Sequence, residues 1–165
     1  MKKSLKTTRF LTQAAIIAAL YAALTLLLQP ISGFQGNFQL RVSEALTLLP
    51  VFTPAAVPGL FVGCFIANLL GGATVLDVIF GSLATLLAAL LTRRLRFNRF
   101  LAALPPVVMN MLIVGAVLAH SLHLPLLPSM GWVALGQLIA CYALGLPLVW
   151  ALAKAPILWE DRTNL

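Results

Sequence analysis

The sequence predicts an all-α membrane protein, a single bundle of six transmembrane helices, and three observations predict it. First, 61% of its 165 residues are apolar and 9% are charged, against about 45–50% and about 25% in an ordinary soluble domain. Second, a spanning helix needs about 20 mainly apolar residues, so six would use roughly 120 and leave about 45 for tails and connections. Residues 1–165 are therefore expected to form one integral membrane domain. Third, the basic residues punctuate the apolar runs instead of gathering on a water-exposed face. The net charge of +7 then speaks of membrane topology and not of nucleic acid.

The elements follow in order. The basic start MKKSLKTTRF leads into Phe10 to Leu28, uncharged for 19 residues. Cleavable signal peptides carry about 7–15 apolar residues, so this run is expected to remain as the first span. It ends at Gln29-Pro30, and ISGFQGNFQLR is a polar, glycine-containing loop. Two short apolar pieces follow, Val42 to Phe52 and Pro58 to Leu70, joined by TPAAV. At 1.5 Å per residue neither reaches about 30 Å, which predicts short embedded helices or a re-entrant hairpin. After GGATV a fourth segment runs from Leu76 to Thr92 and stops at RRLRFNR. The fifth and sixth are Phe100 to Leu122 and Met130 to Ala153, separated by HLPLLPS. Pro105, Pro106 and Pro147 lie inside these runs, where membrane helices tolerate proline.

Cytoplasmic loops carry the excess of Lys and Arg. With both termini inside, Lys2, Lys3, Lys6, Arg9, Arg93, Arg94, Arg96, Arg99, Lys154 and Arg162 all fall inside, and only Arg41 falls outside. On that assignment Glu44, Asn68, Asp77, His120 and Gln137 sit toward the outer side and Asn110 near mid-membrane. Polar groups at such depth usually face a cavity or a partner, so their convergence predicts an outward-facing pocket for a small polar molecule. Each has a plainer explanation. Arg41 and Glu44, spaced i, i+3, can simply pair, Asp77 can cap a helix, and Asn68, Asn110 and Gln137 can bond helix to helix.

Other features weigh less. His120 and His123 lack a carboxylate or cysteine to complete a metal site, and no metal or cofactor is expected. Trp132, Trp150 and Trp159 suit interfacial belts. Cys64 and Cys141 read as inert core thiols. A nucleotide-binding G-x-x-x-x-G-K-[ST] loop is absent, so the chain has no means of its own to couple ATP to transport. Ser82 with His120 is the sole candidate for a hydrolase and lacks a supporting pattern, so no enzyme is expected. In the first segment Ala14, Ala18 and Ala22 form one column and Ala15, Ala19 and Ala23 the next. Small residues let another helix approach closely, either inside this bundle or from another membrane protein, and Gly59 and Gly63 carry the same ambiguity.

The run QLRVSEALTLLPVFTPAAVPGLFVGCFIANL, followed by LDVIFGSLATLLAALLTRRLR, closely resembles the QueT family of queuosine-precursor transporters, which are substrate-binding S components of energy-coupling-factor (ECF) importers. The likeness extends over most of the chain and is densest from Gln39 to Arg96. It implies a six-helix bundle of the ECF S-component type with the first external loop as a lid over an outer pocket. It also implies a T subunit with two cytoplasmic ATPases as partners, docked through an A-x-x-x-A motif, which Ala15 and Ala19 match best and Ala14 and Ala18 in a second register. The implied ligand is a 7-deazaguanine base, a queuosine precursor or queuine, and the expected binding residues are Arg41, Glu44, Asn68, Asp77, Asn110 and Gln137. An S component for another vitamin-sized ligand and a stand-alone membrane channel are the alternatives.

Overall fold

In hydrocarbon a backbone finds no water to bond, so apolar runs of this length must satisfy their N–H and C=O groups internally as helices. The computed structural model describes residues 2–29 and 41–154, all of whose regular elements are helical. The loop expected to act as a lid, Trp159 and Arg162 lie outside the described residues. Six helices follow one another: α1 (Lys2–Leu27), α2 (Val42–Val51), α3 (Ala56–Leu70), α4 (75–94), α5 (Arg99–Ser121) and α6 (Leu126–Ala153). Lys6–Leu27 of α1, α5 and α6 are long and apolar enough to cross a bilayer.

Hydrogen bonds between helices fix their directions. Thr25 of α1 meets Ser43 at the start of α2 (2.7 Å), and Gln13 accepts a bond from Thr53 just beyond its end (2.9 Å). Gln29 then donates to the carbonyl of Gly71, just past α3 (2.9 Å). The two short segments therefore run down and back along α1 between residues 13 and 29, so they are not a hairpin that turns halfway. Winding makes this possible. All of α2 is a 3-10 helix, whose rise of about 2.0 Å per residue stretches ten residues to about 20 Å. Every residue from Ser43 to Val51 is buried, which makes α2 the central strut, touching α1, α3, α4 and α6.

Prolines set local breaks, and neighbouring side chains repair them. Pro106 has no N–H to offer the carbonyl of Ala102 four residues back, and Thr92 of α4 donates to that carbonyl instead (2.9 Å). Arg93 caps the end of α2 at the carbonyls of Pro50 (3.0 Å) and Val51 (3.3 Å). The last helix begins at Leu126, four residues before the expected start. Pro125 is its N-cap and Pro128 falls in the first turn, where a missing N–H breaks no helical bond.

Small residues bring α1 and α3 together. A Cβ on Gly59 would sit 2.7 Å from the Ala14 carbonyl oxygen, and one on Gly63 would sit 2.8 Å from that of Ala18. The seam uses the Ala14–Ala18 column, while Ala15, Ala19 and Ala23 face outward. Large apolar side chains such as Leu20, Phe65, Leu87, Leu112 and Leu135 are also exposed, as a lipid-facing surface requires. Lys6, Arg9, Arg93, Arg94, Arg96, Arg99 and Lys154 share one end of the bundle. That end is tied together by Gln13–Thr53, the Arg93 cap and the edge-to-face pair Phe100–Trp150 at 6.3 Å. Arg41 lies at the other end.

Gly63→Leu should therefore drive α1 off α3 and destabilise the protein by about 1–3 kcal/mol, the usual consequence of overpacking. Ala19→Leu, on the outward column, should leave the melting temperature in detergent unchanged. Equal melting of the two variants would contradict the seam.

Candidate functional site

The 3-10 winding of α2 eclipses residues three apart, and so stacks Arg41, Glu44 and Thr47 in one column. Backbone bonds hold the column: Glu44 N–H donates to the Arg41 carbonyl (3.0 Å), and the Thr47 hydroxyl to the Glu44 carbonyl (2.6 Å). Glu44 is 2% exposed and Arg41 8%. Buried charges survive only when paired or well hydrogen-bonded, and other helices supply the partners. Tyr21 of α1 donates its hydroxyl to Glu44 Oε1 at 2.5 Å, and Asn110 of α5 reaches Oε2 at 3.5 Å. Arg41 Nη1 donates to Asn68 Oδ1 of α3 at 3.1 Å, and Asn68 Nδ2 to the Asp77 carbonyl of α4 at 3.1 Å.

These groups surround a cavity of about 10 Å³, room for roughly one water molecule. Arg41 and Glu44 line it from α2, Thr85 from α4, Asn110 from α5 and Gln137 from α6. Val114 and Val133 close it on the apolar side. Two wide π turns reach it, Asp77–Gly81 through Gly81 and Asn110–Val114 through Asn110 and Val114, and a third, Ile139–Gly145, starts two residues after Gln137. The first two begin at Asp77 and Asn110, whose groups belong to this network, and π turns are frequent at functional sites. A larger hollow of about 350 Å³ lies between α1, α2 and α6, but Ile16, Leu20, Leu148 and Leu152 make it apolar. Its one polar side chain, Gln13, is bonded to Thr53.

Of the six residues expected from sequence, Arg41, Glu44, Asn110 and Gln137 meet at the cavity, and Asn68 stands one step behind, bracing Arg41. Asp77 stands apart. It is half-buried, its carboxylate accepts from the Thr74 hydroxyl (3.0 Å), and its N–H donates to Thr74 Oγ1 (3.2 Å). Thr74 is thus the helix cap and Asp77 its partner three residues on. Ser82 donates its hydroxyl to the Val78 carbonyl (2.6 Å) within its own helix, and His120 is exposed. Among the described residues no three His, Cys, Asp or Glu side chains gather as metal ligands. Cys64 and Cys141 are buried and unbridged.

Sequence reasoning missed Tyr21 and Thr85. The signal for Tyr21 was available: it is a lone phenol in an alanine-rich span, and a buried tyrosine hydroxyl needs a partner. Thr85 carried no comparable signal.

Residues 11–154 match the family described as QueT transporter. Over 86 residues the chain is 42% identical to the queuosine precursor transporter QueT of Lactococcus lactis subsp. cremoris. The match covers 52% of this chain and 49% of that protein, about half its length. No solved structure matches the chain.

Asn68→Leu removes one acceptor of the buried Arg41 guanidinium and should cost about 1.5–3 kcal/mol, the usual worth of a hydrogen bond to a charged group. Asp77→Ala removes only a cap interaction, worth about 0.5–2 kcal/mol. Thermal unfolding of the two variants should rank them in that order.

Proposed function

The chain belongs to the QueT transporter family and is a multi-pass protein of the cell membrane, and on that premise we propose that it is the substrate-binding S component of an ATP-driven ECF importer. It captures a queuosine precursor, a 7-deazaguanine base, on the extracellular side. It releases the base inside together with a T subunit and two ATPases, with no catalytic step of its own. The observation that carries this reading is the convergence of Arg41, Glu44, Asn110 and Gln137 from three helices on one buried cavity.

The chemistry fits a guanine-like edge. N1–H and the exocyclic amine are adjacent donors, and a carboxylate is an acceptor with charge-assisted strength. Glu44 takes that edge. Asn110, Gln137 and the five-donor guanidinium of Arg41 serve the carbonyl and ring nitrogens, with Asn68 holding Arg41 in place. In this reading Asp77, outside the lining, takes a ligand's cationic amine. Ligand pockets usually enclose about 300–1,000 Å³, so loading must open this cavity. The 3.5 Å contact between Asn110 and Glu44, at the outer limit of a hydrogen bond, is one that such opening would break.

The basic end of the bundle is the cytoplasmic end by the positive-inside rule, which leaves both termini of this single domain inside and the pocket nearer the outer surface. The outward column of Ala15 and Ala19 provides the smooth face on which the T subunit docks, since the Ala14–Ala18 column is already occupied by α3.

Thermal-shift measurements on purified protein with 7-deazaguanines, riboflavin, biotin and thiamine should show stabilisation by the deazaguanines alone, and stabilisation by riboflavin alone would overturn the ligand. Glu44→Gln should weaken deazaguanine binding by about ten- to a hundredfold, the value of a hydrogen bond to a charged group. Asp77→Asn should cost less, and unchanged affinity in both variants would defeat the pocket assignment. Ala15→Trp should abolish copurification of the T subunit and ATPases while base binding persists.

A further inference from the structure

The carboxylate at the centre of the pocket is held unevenly, and its shortest bond comes from a residue that does not line the cavity. Tyr21 is fully buried on α1, and its hydroxyl lies 2.5 Å from Glu44 Oε1, within the short range of a bond between a hydroxyl and a charged oxygen. Glu44 Oε2 has a far looser partner, Asn110 Nδ2 at 3.5 Å, the outer limit of a hydrogen bond. Oε1 is anchored from outside the cavity, while the amides of Asn110 and Gln137 meet the carboxylate from the cavity lining.

Three further features keep the phenol in place. A Cβ on Gly63 would stand 2.9 Å from the Tyr21 Cβ, so the glycine is what lets α1 come close enough for the hydroxyl to reach α2. The Tyr21 carbonyl bonds the Thr25 hydroxyl (2.8 Å), which also meets Ser43 (2.7 Å), the neighbour of Glu44. The ring itself has two side-chain torsions to restrain and costs little entropy to fix.

We propose that Tyr21 is a positioning residue for ligand recognition: its hydroxyl pins Glu44 Oε1, so that Oε2 is presented to the donor edge of the bound base. This rests on the deazaguanine reading above. The pinned carboxylate cannot rotate to follow a ligand with its donors elsewhere, so Tyr21 sets selectivity for an adjacent pair of donors as well as affinity.

The test uses full-length protein in detergent, with 7-deazaguanine and with 7-deazahypoxanthine, which lacks the exocyclic amine, as probes in titration calorimetry. Tyr21→Phe keeps the ring and loses the hydroxyl. It should weaken 7-deazaguanine binding about tenfold and 7-deazahypoxanthine binding distinctly less. In a Glu44→Gln background the same change should add less than twofold. Melting temperatures provide an arm that needs no ligand: the losses from Tyr21→Phe and Glu44→Gln should fall short of additive in the double variant. Wild-type affinity in Tyr21→Phe, or an equal penalty for both bases that persists in Glu44→Gln, would overturn the proposal. Wild-type protein that binds neither base would overturn the deazaguanine reading and the recognition role with it, while non-additive melting would still establish the Tyr21–Glu44 bond itself.

Discussion

The architecture depends on keeping one carboxylate, Glu44, inside a bundle with no water to solvate it. An isolated buried charge is untenable in such surroundings, and what makes it tenable is a set of partners from several helices at once: Tyr21 from α1, Asn110 from α5 and the Arg41 column on its own helix. Arg41 in turn requires Asn68, and Asn68 requires the Asp77 carbonyl. With Gln137 of α6, which also bonds Glu44, the network joins all six helices, and non-α stretches of three of them lie at it. The 3-10 winding of α2 stacks the charges, and the π turns of α4 and α5 bring their side chains round.

The apolar contacts do a different job. Leu48, Leu49, Phe52, Leu60, Val107 and Val149 form the main core beneath the polar layer, while Gly59 and Gly63 let α1 close on α3. Where Pro106 removes a donor, a side chain from the neighbouring helix takes its place, Thr92 at the Ala102 carbonyl.

Much of this was legible in the amino-acid string. Helix count and order follow from the spacing of apolar runs, and the clustering of Arg41, Glu44, Asn110 and Gln137 follows from the cost of placing polar groups at depth. The 3-10 winding was not legible, because nothing in VSEALTLLPV declares a rise per residue, and the choice between short helices and a hairpin turned on it. The alanine columns were symmetric in sequence. Only the position of α3 tells Ala14 and Ala18, packed inside, from Ala15 and Ala19, turned outward. Asp77 was drawn into the site by its charge, yet Thr74, three residues earlier, claims its carboxylate. Tyr21 went unnoticed because a single aromatic in an alanine-rich run carries no periodicity.

A protein whose polar interior is already mutually satisfied recognises by exchange. On the proposed reading, the arriving solute replaces bonds that the side chains now make with one another, group for group. A close analogue that matches all but one of them leaves a donor or acceptor stranded in a dry setting, and that mismatch discriminates far more sharply than a missing methylene would. On that reading, the tight closure of the cavity acts as a filter against look-alike metabolites, a form of fidelity that an open, water-filled cup would lack.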